Sequence, residues 1–242
     1  MSNTRIWATE KKSFDIGCRV IKWDETEGLN FLPFNRYIKR NVSDETLQTI
    51  IKQFTVHWSV TYKAKHMFTG LKARGLSCNF MIDDDSVDDY ATIYQCLPIN
   101  HGGYSQGGKF NALGPGVEIS YMPQLWDNDM YDPNDRKKWD VPEHPQGTGY
   151  VHGAKLKVHL PTEAQINSLK SLIWGFSELF PNVPATFPKD ASGKYITGVL
   201  KNATNYTGLV NHYNLTRGKI DAAGLDLADI EQGVADRKQV GY

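Results

Sequence analysis

Phe54-Thr55-Val56-His57-Trp58-Ser59 is a short run of aromatic and β-branched residues that closes on a polar one. Such side chains fit a pleated, half-buried surface, so the run reads as a strand over 54–58 with a histidine near its end. Just upstream, Ser43 stands where a helix N-cap belongs, and Asp44 and Glu45 follow where negative charge suits the helix dipole. Leu47, Ile50, Ile51 and Phe54 recur at i, i+3, i+4 and i+7. That single apolar stripe predicts a helix over 44–53 feeding directly into the strand.

Working outward, further strands are expected at 78–82, 91–97 and 116–121, the last opening after the turn Gly114-Pro115-Gly116. Asp83-Asp84-Asp85 reads as a solvated turn, because it lacks the alternating acidic positions, the central glycine and the terminal glutamate of an EF-hand loop. Residues 122–160 carry Pro123, Pro133, Pro142 and Pro145 with few periodic apolar residues, and read as a long surface excursion with His152 and His159 on its surface. Thr162 and Gln165 have capping-box spacing and open the clearest helix. Its apolar face runs from Ile166 through Leu169, Leu172, Ile173 and Phe176 to Leu179 and Phe180, and Pro181 ends it. A last strand at 206–210 runs into His212, and the tail from Leu225 has a weak helical pattern. Residues 1–42 show no clear period and are expected to form an N-terminal extension packed on a domain made of 43–242. Alternating strands and helices predict the α/β class: one domain with a central mixed β-sheet flanked by helices and a long loop insertion at about 122–160.

Bulk properties exclude several functions. The 242 residues carry 27 Lys plus Arg against 27 Asp plus Glu, so no basic excess points to a phosphate backbone and nucleic acid is not an expected partner. No apolar run approaches the roughly 18 residues a membrane helix needs, so no membrane insertion is expected. Met1 to Trp7 lack a basic-then-apolar secretion signal. The three cysteines, Cys18, Cys78 and Cys96, match no zinc-ribbon or disulfide spacing and read as buried reduced thiols of a protein made in the cytoplasm.

Seven histidines are present, but HExxH, GxSxG and GxxxxGK[ST] are all missing. Two segments remain informative. His57 closes an apolar strand, a place where a histidine is more often a hydrogen-bonded core residue than a ligand. His212-Tyr213-Asn214-Leu215-Thr216-Arg217-Gly218-Lys219-Ile220-Asp221 places an Asp nine residues after a strand-end His, with a Lys two residues before that Asp. A loop of this length can fold back to bring His and Asp together, although such polar residues in a loop commonly do nothing more.

Taken in order, these segments resemble the zinc-dependent N-acetylmuramoyl-L-alanine amidase family, which includes phage lysozyme-like amidases and peptidoglycan recognition proteins. Phe54-Thr55-Val56-His57 looks like its first metal-ligand strand, and Tyr94-Gln95 with His101-Gly102-Gly103 like its YQ…HAG stretch. Gly116-Val117-Glu118-Ile119-Ser120 looks like its GIEL strand, and His212 through Lys219-Ile220-Asp221 like its second metal segment. The likeness runs from about 44 to 227. It departs where the family has Pro-Gly after the last ligand, since Ala222-Ala223-Gly224 stands here, and where Trp58 follows the first ligand.

The resemblance implies one Zn²⁺ held by His57, His212 and Asp221 with a fourth position open, as catalytic zinc requires. It implies Glu118 as general base, Lys219 as oxyanion stabiliser and His101 in the substrate groove. The implied substrate is peptidoglycan or a muropeptide, cut between the muramic lactyl group and L-alanine. The implied setting is a phage or phage-like lysin, with possible association with the phage particle, that reaches the wall after release or delivery. Two other readings stay open: a non-catalytic peptidoglycan-binding module, and a virion structural protein in which the matches are coincidental.

Overall fold

The structure is a computed structural model that describes residues 3–123 and 133–240. In chain order it contains β1 (Arg5–Trp7), β2 (Ser13–Asp15), β3 (Val20–Lys22), β4 (Tyr37–Lys39), α1 (Asp44–Ile50), β5 (Gln53–Trp58) and α2 (Ala64–Ala73). There follow β6 (Phe80–Ile82), β7 (Ile93–Gln95), β8 (His101–Gly103), β9 (Gly116–Ile119), α3 (Pro133–Trp139), β10 (Gln146–Val151) and β11 (Ala154–His159). The chain closes with α4 (Glu163–Leu179), β12 (Gly208–Asn211), α5 (His212–Leu215) and α6 (Leu227–Val240).

Six of these strands build one mixed sheet in the order β12-β5-β9-β6-β7-β3. β12, β5, β9 and β6 are mutually parallel, β6 and β7 are antiparallel, and β7 and β3 are parallel again. This is the α/β sheet flanked by helices that the alternation of elements predicts.

Strand periodicity divides the core between the two faces. Phe54, Val56, Phe80, Ile82, Val117, Ile119 and Leu209 pack with α4 and α6 in the largest apolar cluster. Met81 and Tyr94 instead join Ala64, Met67 and Leu71 of α2 in a second cluster. α4 is fixed at its start by the expected capping box: the Thr162 hydroxyl accepts from Gln165 N, and the Gln165 side chain accepts from Thr162 N. Its Leu169, Leu172, Ile173 and Phe176 are fully buried, each a side chain whose burial contributes about 1.5–3 kcal/mol. α1 begins as expected, with the Ser43 hydroxyl accepting from Thr46 N, but ends at Ile50 because Gln53 already pairs in β5. Among the described residues, no helix is long and apolar enough to cross a membrane.

The first 42 residues contribute to sheet and core: Val20–Lys22 forms the edge strand beside β7, and Ile6, Ile16 and Val20 enter the main core. Three expectations need correction. Asp83-Asp84-Asp85 is not a solvated turn. Asp83 accepts from Ala64 N at 2.8 Å and caps α2, Asp84 is fully buried against His144, and Asp85 accepts from both the backbone and the hydroxyl of Thr92. The 122–160 segment is not a bare loop either. Residues 124–132 lie outside the described part, but α3 and the antiparallel hairpin β10–β11 follow, and Val151 and Val158 are buried in the main core. His159 is buried as well, contrary to the surface placement read from the sequence, while His152 is half-buried at the hairpin turn.

The excursion is tied down by a buried pair. His144 Nδ1 donates to the Leu160 carbonyl at 2.8 Å, and Nε2 lies 2.9 and 3.0 Å from the two carboxylate oxygens of Asp84. Tyr121 stacks on the imidazole at 5.5 Å. Removing His144 strands the buried Asp84 carboxylate without these two contacts. His144→Ala is therefore expected to cost about 3–5 kcal/mol of unfolding free energy in a urea titration. A cost under about 1 kcal/mol would mean that apolar contacts alone hold the excursion.

Candidate metal centre

Strand register assembles the site. β5 pairs with β9 so that His57 lies opposite Glu118, and with β12 so that Val56 lies opposite Asn211. Residues in register on parallel strands project to the same face. His57 and Glu118 therefore stand side by side, away from the face that buries Phe54 and Val56. His212 follows β12 immediately and opens α5. Asn214 fixes that corner: its side chain accepts from Asn211 N at 3.0 Å and donates to the carbonyls of Ile196 and Gly198. The loop after α5 folds back, as its length allows, and Tyr213 N donates to the Asp221 carbonyl at 3.1 Å.

Three donor atoms converge. His57 Nδ1 lies 2.9 Å from His212 Nδ1 and 3.2 Å from Asp221 Oδ2, and His212 Nδ1 lies 2.7 Å from the same oxygen. Protons cannot satisfy this triangle. The carboxylate oxygen can accept from both imidazoles, but then two N–H groups face each other across 2.9 Å. If either nitrogen gives up its proton, its lone pair faces that of the carboxylate oxygen instead. A cation in the middle lets all three lone pairs point inward. Three ligands of a tetrahedral zinc at about 2.0–2.1 Å are roughly 3.3 Å apart, close to the separations seen, and the two-imidazole, one-carboxylate donor set suits zinc. The residues thus fit the ion that the sequence resemblance implies. Among the described residues they are the one group of His, Cys, Asp or Glu side chains close enough to hold a metal.

Electrostatics favours the same arrangement. Burial and the neighbouring His212 push the His57 imidazole down to about 4, though Asp221 pulls the other way. Burial opposes ionisation of Asp221, yet hydrogen bonds from His212 and His57 outweigh it and hold the carboxyl well below the usual range. A neutral imidazole and an ionised carboxylate are the forms that bind a metal. Glu118 behaves oppositely: burial first, then the Asp221 charge, raise it well above the ordinary 4.5, with Lys219 and Arg74 only partly offsetting them. Its Oε2 is buried without a hydrogen-bond partner.

His57, Glu118, His212, Lys219 and Asp221 all line one open cavity of about 930 Å³. Trp58 and the α2 residues Met67 and Leu71 give the cavity apolar lining, and residues 104–111 a mostly polar one. Arg40 supports that loop from behind, donating to the carbonyls of Ile99, Asn111 and Ala112. Gly116 is required by close approach: a Cβ there would come within 3.1 Å of Ser105 Oγ and Gln106 Nε2 and 3.4 Å of His57 Nε2.

His101 is the residue the structure does not bring in. It lies on β8, paired with β4, hydrogen-bonded to Asn100 and packed on Tyr37 at 4.7 Å, and it is not part of the cavity lining. Gly102 beside it serves packing, since a Cβ there would fall 2.6 Å from the Asn111 carbonyl and 2.7 Å from Arg40. Cavity residues without a mark in the sequence include Arg74, Tyr104, Gln106 and Asn111. Gly107 and Gly108, at φ +85° and +48°, shape that loop and were its one available signal.

No family model and no curated protein matches the chain. Solved structures similar to it include AmpDH3 from Pseudomonas aeruginosa in complex with anhydromuramic pentapeptide, at TM-score 0.48 and 13% identity, covering 76% of this chain and 59% of that one. The N-acetylmuramyl-L-alanine amidase AmiD from E. coli, in complex with anhydro-N-acetylmuramic acid-L-Ala-D-gamma-Glu-L-Lys, gives TM-score 0.38 and 12% identity over 75% of this chain and 55% of that one. The Staphylococcus aureus hydrolase AmiA gives TM-score 0.46 and 11% identity over 92% of this chain and 86% of that one. The chain thus spans less than two thirds of the length of the first two.

The raised Glu118 carboxyl has a measurable consequence for the metal-free protein. The folded state keeps this proton to higher pH than the unfolded chain, so the group favours folding fully below pH 4.5 and progressively less as pH rises through its folded value. Gln does not titrate. Glu118→Gln should therefore stabilise the metal-free fold by an amount that grows above pH 4.5, to order 1 kcal/mol. Urea titrations at a series of pH values check this, and a gap that stays flat would show that the carboxyl is not desolvated.

Proposed function

We propose that this chain is a zinc-dependent N-acetylmuramoyl-L-alanine amidase that hydrolyses the amide between the muramic lactyl group and L-alanine. The observation that carries the reading is the His57–His212–Asp221 triangle with Glu118 in register beside it, both opening on one large cavity. A structural zinc site would close all four positions, often with cysteine. Here three ligands face a cavity, and Cys18, Cys78 and Cys96 are free and buried elsewhere.

Zinc held by these three residues would polarise the scissile carbonyl and lower the pKa of a water molecule toward neutrality. Glu118 handles the protons: its carboxylate takes one from the attacking water, and the resulting acid passes it to the leaving L-alanine nitrogen. Hydroxide thus ends on the lactyl carbonyl carbon and hydrogen on the amine, which balances the hydrolysis. Burial suits Glu118 to both steps, because it raises the carboxyl toward the pH at which a proton can be both taken and returned. Lys219, exposed at the cavity wall, supplies positive charge for the oxygen that becomes negative as the carbonyl is attacked. The apolar lining from α2 and the polar lining from the 104–111 loop suit a ligand with both apolar and polar parts, as a lactyl-peptide presents. Nothing in the site favours a purely binding role, since the proton carrier and the ligand set are both complete.

Digestion of purified peptidoglycan, read by mass spectrometry with and without a zinc chelator, tests the reading. Stem peptides with a free L-alanine amine, released only when zinc is present, are expected; new reducing sugar ends would mean a glycosidase instead. His212→Ala should lose zinc from the purified protein. Glu118→Gln should keep zinc but slow turnover by about 10²–10⁴-fold, and undiminished turnover would remove Glu118 from the chemistry.

A further inference from the structure

We infer that His152, at the tip of the β10–β11 hairpin, is a positioning residue that holds Lys219 in its working place. The inference rests on the amidase reading above for the role of Lys219. Its structural half stands on contacts alone.

The hairpin reverses at Val151-His152-Gly153-Ala154, with His152 at φ +54° and Gly153 at φ +83°. Both central residues are left-handed, the backbone of a tight two-residue turn. Glycine would adopt it without strain; histidine does so at some cost. The side chain placed there reaches across the fold. His152 Nε2 lies 3.0 Å from the Lys219 carbonyl oxygen, and a carbonyl can only accept, so the imidazole donates. The histidine is itself anchored, because its backbone N–H donates to the Thr197 carbonyl at 2.8 Å.

Lys219 needs such support. Its loop leaves α5 at Leu215, and 216–219 are exposed. Besides the His152 contact, the backbone of Lys219 makes one hydrogen bond, a long one of 3.3 Å from its N–H to the Thr216 carbonyl. The body of the hairpin bears on the next residues. A Cβ added to Gly149 would fall 2.8 Å from Ala223 Cβ and 2.9 Å from Gly224 N, and one added to Gly224 would meet Val158 at 2.8 Å and Leu160 at 3.0 Å. One face of the hairpin therefore abuts the turn after Asp221, while its tip grips the carbonyl of Lys219. The excursion, anchored at its base by His144 and Asp84, acts as a strut for the loop that carries both residues.

The test combines kinetics with amide exchange on the zinc-loaded protein. His152→Ala should lower kcat on the muramyl dipeptide MurNAc-L-Ala-D-isoGln by about tenfold, since small misplacements of a catalytic group are costly. KM, zinc content and Tm should hardly change. His152→Gln, which keeps a side-chain N–H, should recover most of the rate. In a Lys219→Ala background the His152→Ala loss should vanish, an outcome that general loosening of the fold would not produce. Mass-spectrometric hydrogen exchange should show faster exchange in 216–223 for His152→Ala and little change elsewhere. Equal losses in both backgrounds, or unchanged exchange in 216–223, would overturn the inference. Wild-type protein inactive on this substrate would count against the amidase reading, and the exchange result would still decide whether the strut exists.

Discussion

The register in which β5 pairs with its two neighbours is the constraint on which the rest of the site depends. β5 lies between β12 and β9, and parallel pairing puts His57 directly opposite Glu118 on one side and level with His212, the residue after β12, on the other. A slip of one residue would exchange the faces of the strand, sending His57 into the apolar layer under α4 and turning Phe54 and Val56 away from it. The burial of Phe54, Val56, Phe80 and Val117 against α4 therefore fixes the candidate metal ligands indirectly. Packing on one face of the sheet determines chemistry on the other.

The parts added around that sheet divide the remaining work. α2 and the 104–111 loop both line the cavity, and each is held by a long-range polar contact. Asp83 caps α2 from beyond its C-terminal end in sequence, and buried Arg40 supports the loop. Burial without competing anions lowers the Arg40 guanidinium to about 10, yet three backbone carbonyls accept from it. The excursion supplies the third support, behind the loop that carries Lys219 and Asp221. Four segments far apart in sequence thus converge on one pocket at the end of the parallel strands, where open α/β sheets commonly bind ligands.

Much of this was legible in the residues. β5 and α4 carry strong local signals, namely β-branched and aromatic enrichment in one and a capping box with a sustained apolar stripe in the other. His57, Glu118, His212, Lys219 and Asp221 were marked as a set by resemblance, and the structure brings these five to one cavity. What stayed hidden depends on contacts distant in sequence. α2 has Lys63 at its N-cap and no side-chain cap of its own, so its start is set by Asp83, nineteen residues on. β1, β2 and β3 have three residues each, too few to show a period, and gain their stability from pairing and from the core beneath. Asp84 and His159 are polar residues whose burial is possible only because partners arrive from the excursion or from the sheet. His101 comes into the groove by resemblance alone; the structure pairs it in β8 against Tyr37, and Gly102 beside it is small to admit Arg40.

Anomalous X-ray diffraction at the zinc edge, on crystals of protein purified without chelator, tests the central claim most directly. One ion bonded to His57 Nδ1, His212 Nδ1 and Asp221 Oδ2, with its remaining side toward the cavity, is the predicted result. A zinc-loaded crystal with no anomalous density among these three atoms, or with the ion elsewhere, would contradict it.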